Sequence, residues 1–318
     1  MTASASGPMA SDREGRVFRM DSFRRTVTDL DRAVEFYCDA LGFDLDIVVA
    51  GDVSGARRAV LTLGDEILEL TAGADAMASA HRPHGTSSSS IGFQHIAIVA
   101  ADMPAAYARL IKYAPQAIST SGPVLLPPST GSVTAFKFRD RDGHPLELIH
   151  FPAGAGDPKW QRPRVAGPTI GIDHSAIVVA NADLSISFYA DLLGFSAASR
   201  QLNRGPGQDA LDGASGIVVD VVALTAAESA TPHLELLGYR HPTSGTPSRE
   251  FGRRRGADQI VWAVSGLADI RARLAVRDDG RDRVSPAAQR TGELLVFDPD
   301  GHAQCLVDRP PLHDGRAV

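Results

Sequence analysis

Apolar residues along the chain follow two alternating periods, which predict strands and helices in a repeating order. The segment from Thr26 to Phe43, TVTDLDRAVEFYCDALGF, has the pattern of a strand end and then a short amphipathic helix that begins near Asp29 and ends at a glycine. Apolar and polar positions then alternate from Arg58 to Leu70 around Gly64-Asp65, which predicts a two-stranded hairpin. The first part of the chain therefore reads as strand, helix and further strands.

This order of elements returns later in the chain. Phe36-Tyr37 recurs as Phe188-Tyr189, and Leu41-Gly42-Phe43 recurs as Leu193-Gly194-Phe195. A fainter version lies inside each copy, where strand, turn and helix lead to a strand–turn–strand ending. The two fainter segments begin at Gly92 and Gly256 and end at Ile149 and Val307. The sequence therefore predicts four units, numbered one to four in chain order.

The four units divide the chain into two tandem modules of an α+β protein. Residues 1–16 are predicted to be a disordered tail, residues 17–152 the first module and residues 169–310 the second. The Pro/Gly-rich residues 153–168 are predicted to be the linker between the modules, and the Ser-rich residues 81–90 join units one and two. Both connecting segments are predicted to be exposed.

Three motifs together resemble the vicinal oxygen chelate superfamily, which includes glyoxalase I, extradiol dioxygenases and bleomycin-resistance proteins. They are a strand histidine seven residues before Asp or Asn, the FYxDxLGF helix end and the DGHPLEL hairpin. The resemblance implies two tandem glyoxalase-like modules, with four βαβββ units forming cupped mixed sheets. In that family each unit supplies a first-strand residue and a last-strand carboxylate to a metal site. Here the first-strand positions hold Ser22, His95, His174 and Gln259, and the last-strand positions hold Glu69, Glu147, Glu235 and Cys305.

Two pairings of the units are possible, and the residues discriminate between them. If neighbouring units pair, each of the two sites lacks part of a metal-binding set. If unit two pairs with unit three, and one with four, a complete set forms from His95, Glu147, His174 and Glu235. The other site then holds Ser22, Glu69, Gln259 and Cys305. We therefore predict the crossed pairing, with one working site.

Two imidazoles and two carboxylates suit a divalent ion such as Zn, Ni, Co, Mn or Fe(II). The alternative is that each histidine is an ordinary core residue and each glutamate faces solvent. The strand pattern favours metal binding, because Glu147 and Glu235 interrupt apolar strands, where an unneutralised carboxylate would be costly. His144 and His302, in the Asp-Gly-His turns, are predicted to be structural.

The resemblance implies a metal-dependent lyase or isomerase acting on a small carbonyl or aromatic substrate that chelates the ion through two oxygens. Glu235 or Glu147 would carry the proton as the catalytic base. Val99, Val178 and Tyr239 replace residues that hold glutathione in bacterial glyoxalase I, so a glutathione-linked substrate is not expected. Two alternatives remain: an iron(II)-dependent extradiol-type dioxygenase, and a metal-free protein that binds a small drug molecule.

Composition adds little to this interpretation. The net charge of −6, with Arg253-Arg254-Arg255 as the only basic cluster, argues against nucleic acid or an anionic membrane as partner. Two distant cysteines and the lack of an export signal or a long apolar segment predict a cytoplasmic protein. The expected partner is a small-molecule substrate, and both a monomer and a homodimer are compatible with the sequence.

Overall fold

The computed structural model describes residues 15–49, 55–73, 86–162, 167–245, 258–276, 284 and 292–310. Most of the predicted tail (residues 1–14) lies outside these ranges, as do residues 81–85 of the Ser-rich segment and the cluster Arg253-Arg254-Arg255. Among the described residues, no helix is both long and apolar enough to cross a membrane.

The described residues form strands and short helices in the order that the four repeats predict. The strands are β1 (Arg16–Thr26), β2 (Asp44–Val49), β3 (Arg57–Leu63), β4 (Glu66–Ala72), β5 (Gln94–Ala100), β6 (Gln116–Ala117), β7 (Val124–Leu125), β8 (Thr134–Arg139), β9 (Pro145–His150), β10 (Thr169–Val178), β11 (Ser196–Arg204), β12 (Val218–Thr225), β13 (His233–His241), β14 (Gln259–Ser265), β15 (Glu293–Phe297) and β16 (Ala303–Asp308). The α-helices are α1 (Leu30–Glu35), α2 (Met103–Leu110), α3 (Ala182–Ser187), α4 (Pro206–Asp212) and α5 (Leu267–Val276).

The strands form two mixed sheets, and each sheet combines strands from both sequence modules. One sheet has the order β15-β16-β14-β1-β4-β3-β2, and the other has β11-β12-β13-β10-β5-β9-β8-β6, with β7 against β8. The antiparallel pair β1 and β14 joins units one and four, whereas β5 and β10 join units two and three. The strand pairing is therefore the crossed one, and the predicted α+β class with mixed sheets is confirmed.

The helices begin and end where the repeated motif predicts. The carboxylate of Asp29 accepts a hydrogen bond from the backbone N–H of Arg32, and Asn181 caps α3 in the same way. A π-helical turn continues each helix, over Phe36–Ala40 and Phe188–Leu192. The chain then leaves the helix through a glycine with positive φ, a conformation that glycine adopts at low cost.

One large core packs the helices against the backs of both sheets. It contains the aromatic residues of the two repeated helix ends and alternate residues of the central strands, such as Ile96 and Ile98 of β5. The intervening residues of β5 (His95, Ala97 and Val99) face the opposite side, which is the concave side of the sheet. The same alternation that builds the core therefore points the predicted ligands into a cup.

The turn histidines hold neighbouring units of one module together. Nε2 of His144 lies 2.9 Å from the backbone oxygen of Thr26, and Nε2 of His302 lies 2.8 Å from that of Val178. Both imidazoles are buried. These contacts confirm the structural role predicted for the two residues.

The predicted exposure of the connecting segments is wrong at particular residues. In the linker, Trp160 is buried in a short 3₁₀ turn, Pro158–Gln161. In the Ser-rich segment, Ser88 and Ser89 are buried, and the Ser88 hydroxyl donates to the backbone oxygen of Asp212. Composition predicted exposed connections, but Trp160 and Ser88 have polar partners in the fold, which offset the cost of burying their polar atoms.

Candidate metal centre

The crossed pairing brings the four predicted ligands to one end of a single cup. The antiparallel pairing of β5 with β10 places the rings of His95 and His174 side by side, with their centroids 5.5 Å apart. Nε2 of His95 lies 2.8 Å from Oε2 of Glu147, and Nε2 of His174 lies 3.6 Å from Oε2 of Glu235. Each glutamate lies on the strand that runs parallel to the strand of its histidine.

Three of these four residues form the tightest group. His95, Glu147 and His174 each offer a ligand atom, and these atoms all lie within 4.8 Å of one another. All three side chains are almost fully buried, whereas the side chain of Glu235 is 21% exposed. The arrangement is a two-histidine, one-carboxylate set with a second carboxylate beside it.

The buried charged groups of the site shift one another's pKa values. Burial alone would lower the pKa of His174, but Glu235 and Asp173 outweigh it and raise the pKa to about 9. Burial would raise the pKa of Glu235, yet His174 and His233 hold it well below its usual range. Burial lowers the pKa of His95, which favours the neutral imidazole that binds metals.

The contacts of His95 fit a metal ligand better than a core residue. Its Nδ1 has no hydrogen-bond partner among the described residues, and its Nε2 contacts only the carboxylate of Glu147, without the alignment of a good hydrogen bond. Two ligands bonded to one ion at roughly 2.0 to 2.2 Å come within about 3 Å of each other without such alignment. A cation between these atoms would resolve the cost of burying them unpaired. The residues present therefore fit a divalent ion.

Residues outside the predicted set hold His174 in place. Oδ2 of Asp173 lies 2.9 Å from Nδ1 of His174, and the indole N–H of Trp160 donates to Oδ1 of Asp173 at 2.8 Å. A carboxylate on the second ring nitrogen leaves Nε2 of His174 as the atom that faces Glu235 and the cup. The position of Asp173, immediately before the histidine, was a usable signal, whereas nothing near Trp160 pointed to this contact.

His233 is a further residue of the site that the sequence analysis passed over. Its Nε2 lies 3.6 Å from Oε1 of Glu235, and its Nδ1 lies 3.9 Å from Oδ2 of Asp173. It lies two residues before Glu235 on β13, so the period of a strand points both side chains to the same face. That spacing was the signal in the sequence.

The site opens into a cavity of about 440 Å³, a volume that suits a small molecule. Its walls are mostly apolar, with side chains such as Val133, Ile149 and Val221. Residues 123–132 and 203–216 also line it, through Leu126 and Leu211 among others. Tyr239, one of the residues that replace glutathione contacts, also faces this cavity.

In the second cup an arginine side chain lies among the residues at the equivalent positions. The Ser22 hydroxyl donates to Oε1 of Glu69 at 2.8 Å, and the guanidinium of Arg24 donates to the same oxygen, to Sγ of Cys305 and to Glu293. Gln259 pairs with Arg24 across β1 and β14. Arg24 therefore forms ion pairs with both Glu69 and Glu293 in this cup.

The family of this chain follows from a match that spans both halves. Residues 19–148 and residues 171–306 each match the model of the Glyoxalase/Bleomycin resistance protein/Dioxygenase superfamily. The chain belongs to this superfamily. No curated protein matches the chain in sequence.

Solved structures show the same fold at low sequence identity. Glyoxalase I from Zea mays is 22% identical, with a TM-score of 0.62 over 91% of this chain and 92% of its own. A putative dioxygenase from Bacillus subtilis subsp. subtilis str. 168 is 15% identical, with a TM-score of 0.57 over 93% of this chain and 87% of its own. These similarities show that the fold extends over nearly the whole of both proteins. The superfamily includes metalloenzymes that act on small molecules.

Proposed function

We propose that the protein is a divalent-metal-dependent lyase or isomerase that acts on a small carbonyl or aromatic substrate through two vicinal oxygens. His95, Glu147, His174 and Glu235 would hold the ion. The observation that carries the proposal is the convergence of these buried groups, with Nδ1 of His95 unpaired among the described residues, at the end of an apolar cavity. A divalent ion bound there would act as a Lewis acid towards oxygen atoms of the substrate.

The protein's own groups divide the remaining work. His95 and Glu147 are almost fully buried and form the fixed part of the set. Glu235 is more exposed and lies farther from its histidine, so it is the carboxylate that is free to reach the substrate. We assign Glu235 as the base, taking a proton from the carbon next to the carbonyl and returning it to the neighbouring atom. The apolar walls would exclude water during this transfer.

One observation favours a second function. The tight group of His95, Glu147 and His174 is a two-histidine, one-carboxylate set, which is the ligand set of non-haem iron(II) oxygenases. An iron(II)-dependent extradiol-type dioxygenase would use this group and leave Glu235 outside the ligand shell. The two functions therefore differ in the role of Glu235.

Metal content of purified variants tests the proposed site. We expect about one equivalent of divalent metal in the wild-type protein, and the loss of most of it in the His95→Ala and His174→Ala variants. Gln259→Ala is the matched control, because this residue occupies the equivalent first-strand position of the other cup. Metal loss in Gln259→Ala with retention in His174→Ala would contradict the assignment.

Reconstitution of the metal-free protein separates the functions. Activity restored by nickel, cobalt, manganese or zinc supports the lyase or isomerase, and its loss in Glu235→Gln supports the assigned base. Activity with iron(II) alone, accompanied by oxygen consumption, would support the dioxygenase. Less than about half an equivalent of metal, with no reconstitution, would leave a metal-free binding protein as the better explanation.

A further inference from the structure

A second group of buried polar side chains opens into the same cavity. Asp212, at the end of α4, accepts three hydrogen bonds through its carboxylate. The donors are Nζ of Lys137 at 2.7 Å, Nε2 of Gln208 at 2.8 Å and the hydroxyl of Tyr239 at 3.0 Å. We call these four residues the Asp212 cluster. All except Asp212 itself line the cavity.

The Asp212 cluster has hydrogen-bonding capacity to spare. The ammonium of Lys137 has three donors, and among the described residues only Asp212 accepts one. Oε1 of Gln208 is buried and has no hydrogen-bond partner among the residues that the structure describes. Gln208 is 5% exposed, so its unpaired oxygen is costly unless a bound group donates to it. The cavity thus presents a spare cationic donor and a spare acceptor.

The two spare groups belong to side chains that are held by the same carboxylate. Nζ of Lys137 donates to Oδ1 of Asp212 and Nε2 of Gln208 donates to Oδ2, and both side chains line the same cavity. A hydroxyl group both donates and accepts, so it matches the pair. A methyl group would satisfy neither, and a carboxylate would leave Oε1 of Gln208 without a donor.

The cluster also lies next to the proposed ligands. Lys137 is directly opposite Glu147 in the antiparallel pair β8 and β9, so the two side chains lie on the same face of the sheet. Glu147 and Glu235 both contribute to the raised pKa of Lys137. A substrate held at the ligand end would therefore extend towards this lysine.

We propose that Lys137 and Gln208, held by Asp212, bind a hydroxyl group that the substrate carries in addition to its two chelating oxygens. The substrate class is then a small, mostly apolar or aromatic molecule that chelates the ion through two oxygens. It carries a third oxygen as a hydroxyl group. This assignment rests on the proposed function, because the ligand set fixes the other two oxygens. The function of Asp212 is to hold both binding groups in position.

Calorimetry with matched catechols under argon tests the assignment. The probes are titrated into zinc-loaded protein. Catechol, 3-methylcatechol and 4-methylcatechol lack the third oxygen. Benzene-1,2,3-triol and benzene-1,2,4-triol carry it as a hydroxyl group, and the two corresponding dihydroxybenzoates carry a carboxylate at the same positions. We expect at least one triol to bind about tenfold or more tightly than its methyl counterpart, because an unmatched polar site rejects the analogue that lacks the hydroxyl. Lys137→Met and Gln208→Met should each abolish this preference, so that the triol binds no more tightly than its methyl counterpart. Lys112→Met, on the exposed surface after α2, is the matched control.

Three other results would contradict the assignment of Lys137 and Gln208 as hydroxyl-binding groups. Equal affinity for triols and methylcatechols, a preference that survives in both variants, or tighter binding of the dihydroxybenzoates would overturn it. The same titrations on metal-free protein separate this proposal from the proposed function. If zinc does not bind but the metal-free protein shows the hydroxyl preference, and both variants lose it, the metal site fails and the Asp212 cluster stands. If that preference is absent too, both proposals fail.

Discussion

At the scale of single residues, the site depends on residues that contact the proposed ligands and hold them in position. Asp173 orients His174, and the indole of Trp160 in turn fixes Asp173. The ammonium of Lys159 lies 4.2 Å from the centre of the Trp160 ring, which helps to hold the indole in place. A segment expected to be a simple linker therefore contributes to the geometry of the ligand set.

Replacing this indole tests the contribution. In Trp160→Phe, Asp173 loses the N–H donor at Oδ1 and can rotate, so His174 is less well oriented. We expect metal affinity to fall about 10- to 100-fold, as is typical when such a supporting group is removed. The measurement is a competition titration with a metal-sensitive dye.

The chain provides a close control for this variant. Trp262 donates its indole N–H to Oε1 of Gln304 at 2.7 Å, in the other half of the fold. Trp262→Phe should lower stability but leave metal affinity within about threefold. Equal losses of affinity in both variants would mean that Trp160 acts through general stability rather than through Asp173.

Residue spacing predicted which groups converge in the first cup but not the arginine of the second cup. The ligand positions could be found because strand period and unit repeat fix them, as with His95 and His174. Arg24 lies two residues after Ser22 on β1, so its side chain falls on the same face. The sequence analysis considered only the ligand positions and missed that an arginine would supply the positive charge. The Asp212 cluster escaped prediction because its members come from β8, α4 and β13, which no repeat relates.

At the scale of elements, the Asp-Gly-His turns anchor the units within each module. Oδ1 of Asp298 accepts from the backbone N–H groups of Asp300 and His302, and Oδ2 accepts from the Tyr189 hydroxyl. The equivalent Asp140 accepts from the Tyr37 hydroxyl at 2.8 Å. The repeated tyrosine and the repeated turn could be recognised as motifs, but their mutual contact is tertiary and left no separate signal in the sequence.

One of these turns predicts a pH dependence of stability. Burial and the nearby Asp298 raise the pKa of Asp300 to about 6, against 3.8 as its ordinary value, although His302, Ala180 and Ser185 partly offset them. An acid whose pKa is raised by folding binds its proton more tightly in the folded state. Its contribution to stability is therefore complete below about pH 4 and is lost as the pH rises towards 6.

The Asp300→Asn variant isolates this contribution. The free energies of unfolding of both proteins are measured by urea titration at several pH values. The wild-type value minus the variant value should decrease as the pH rises from about 4 to about 6, and should be constant at higher pH. Taking the difference removes the titration of all other groups that the two proteins share. A difference that is constant, or that rises with pH, would show that Asp300 does not have a raised pKa in the folded protein.

At the scale of the whole molecule, the sheets do not follow the module boundary of the sequence. Each sheet needs a central antiparallel pair from both modules, β1 with β14 or β5 with β10. The repeat fixed four units, but only the ligand chemistry distinguished the crossed pairing from the neighbouring one. Within one module β1 and β5 each have a parallel neighbour, β4 and β9, whereas their antiparallel neighbours, β14 and β10, come from the other module.

This interleaving predicts the behaviour of the separated modules. A chain of residues 17–152 exposes the unpaired edges of β1 and β5, which are sites of association with a second copy. In the full chain His95 pairs with Ala176, and His174 pairs with Ala97. Two copies of β5 in the same register would pair each His95 with Ala97 of the other copy, which restores two imidazoles and two carboxylates around one centre. We therefore expect this fragment to be a folded dimer that binds about one metal ion per dimer. Sedimentation measures the dimer, and metal analysis measures the ion. The His95→Ala fragment should still be dimeric but should contain no metal. A folded monomer would contradict the dependence of each sheet on both modules, whereas a dimer without metal would contradict the ligand roles of His95 and Glu147.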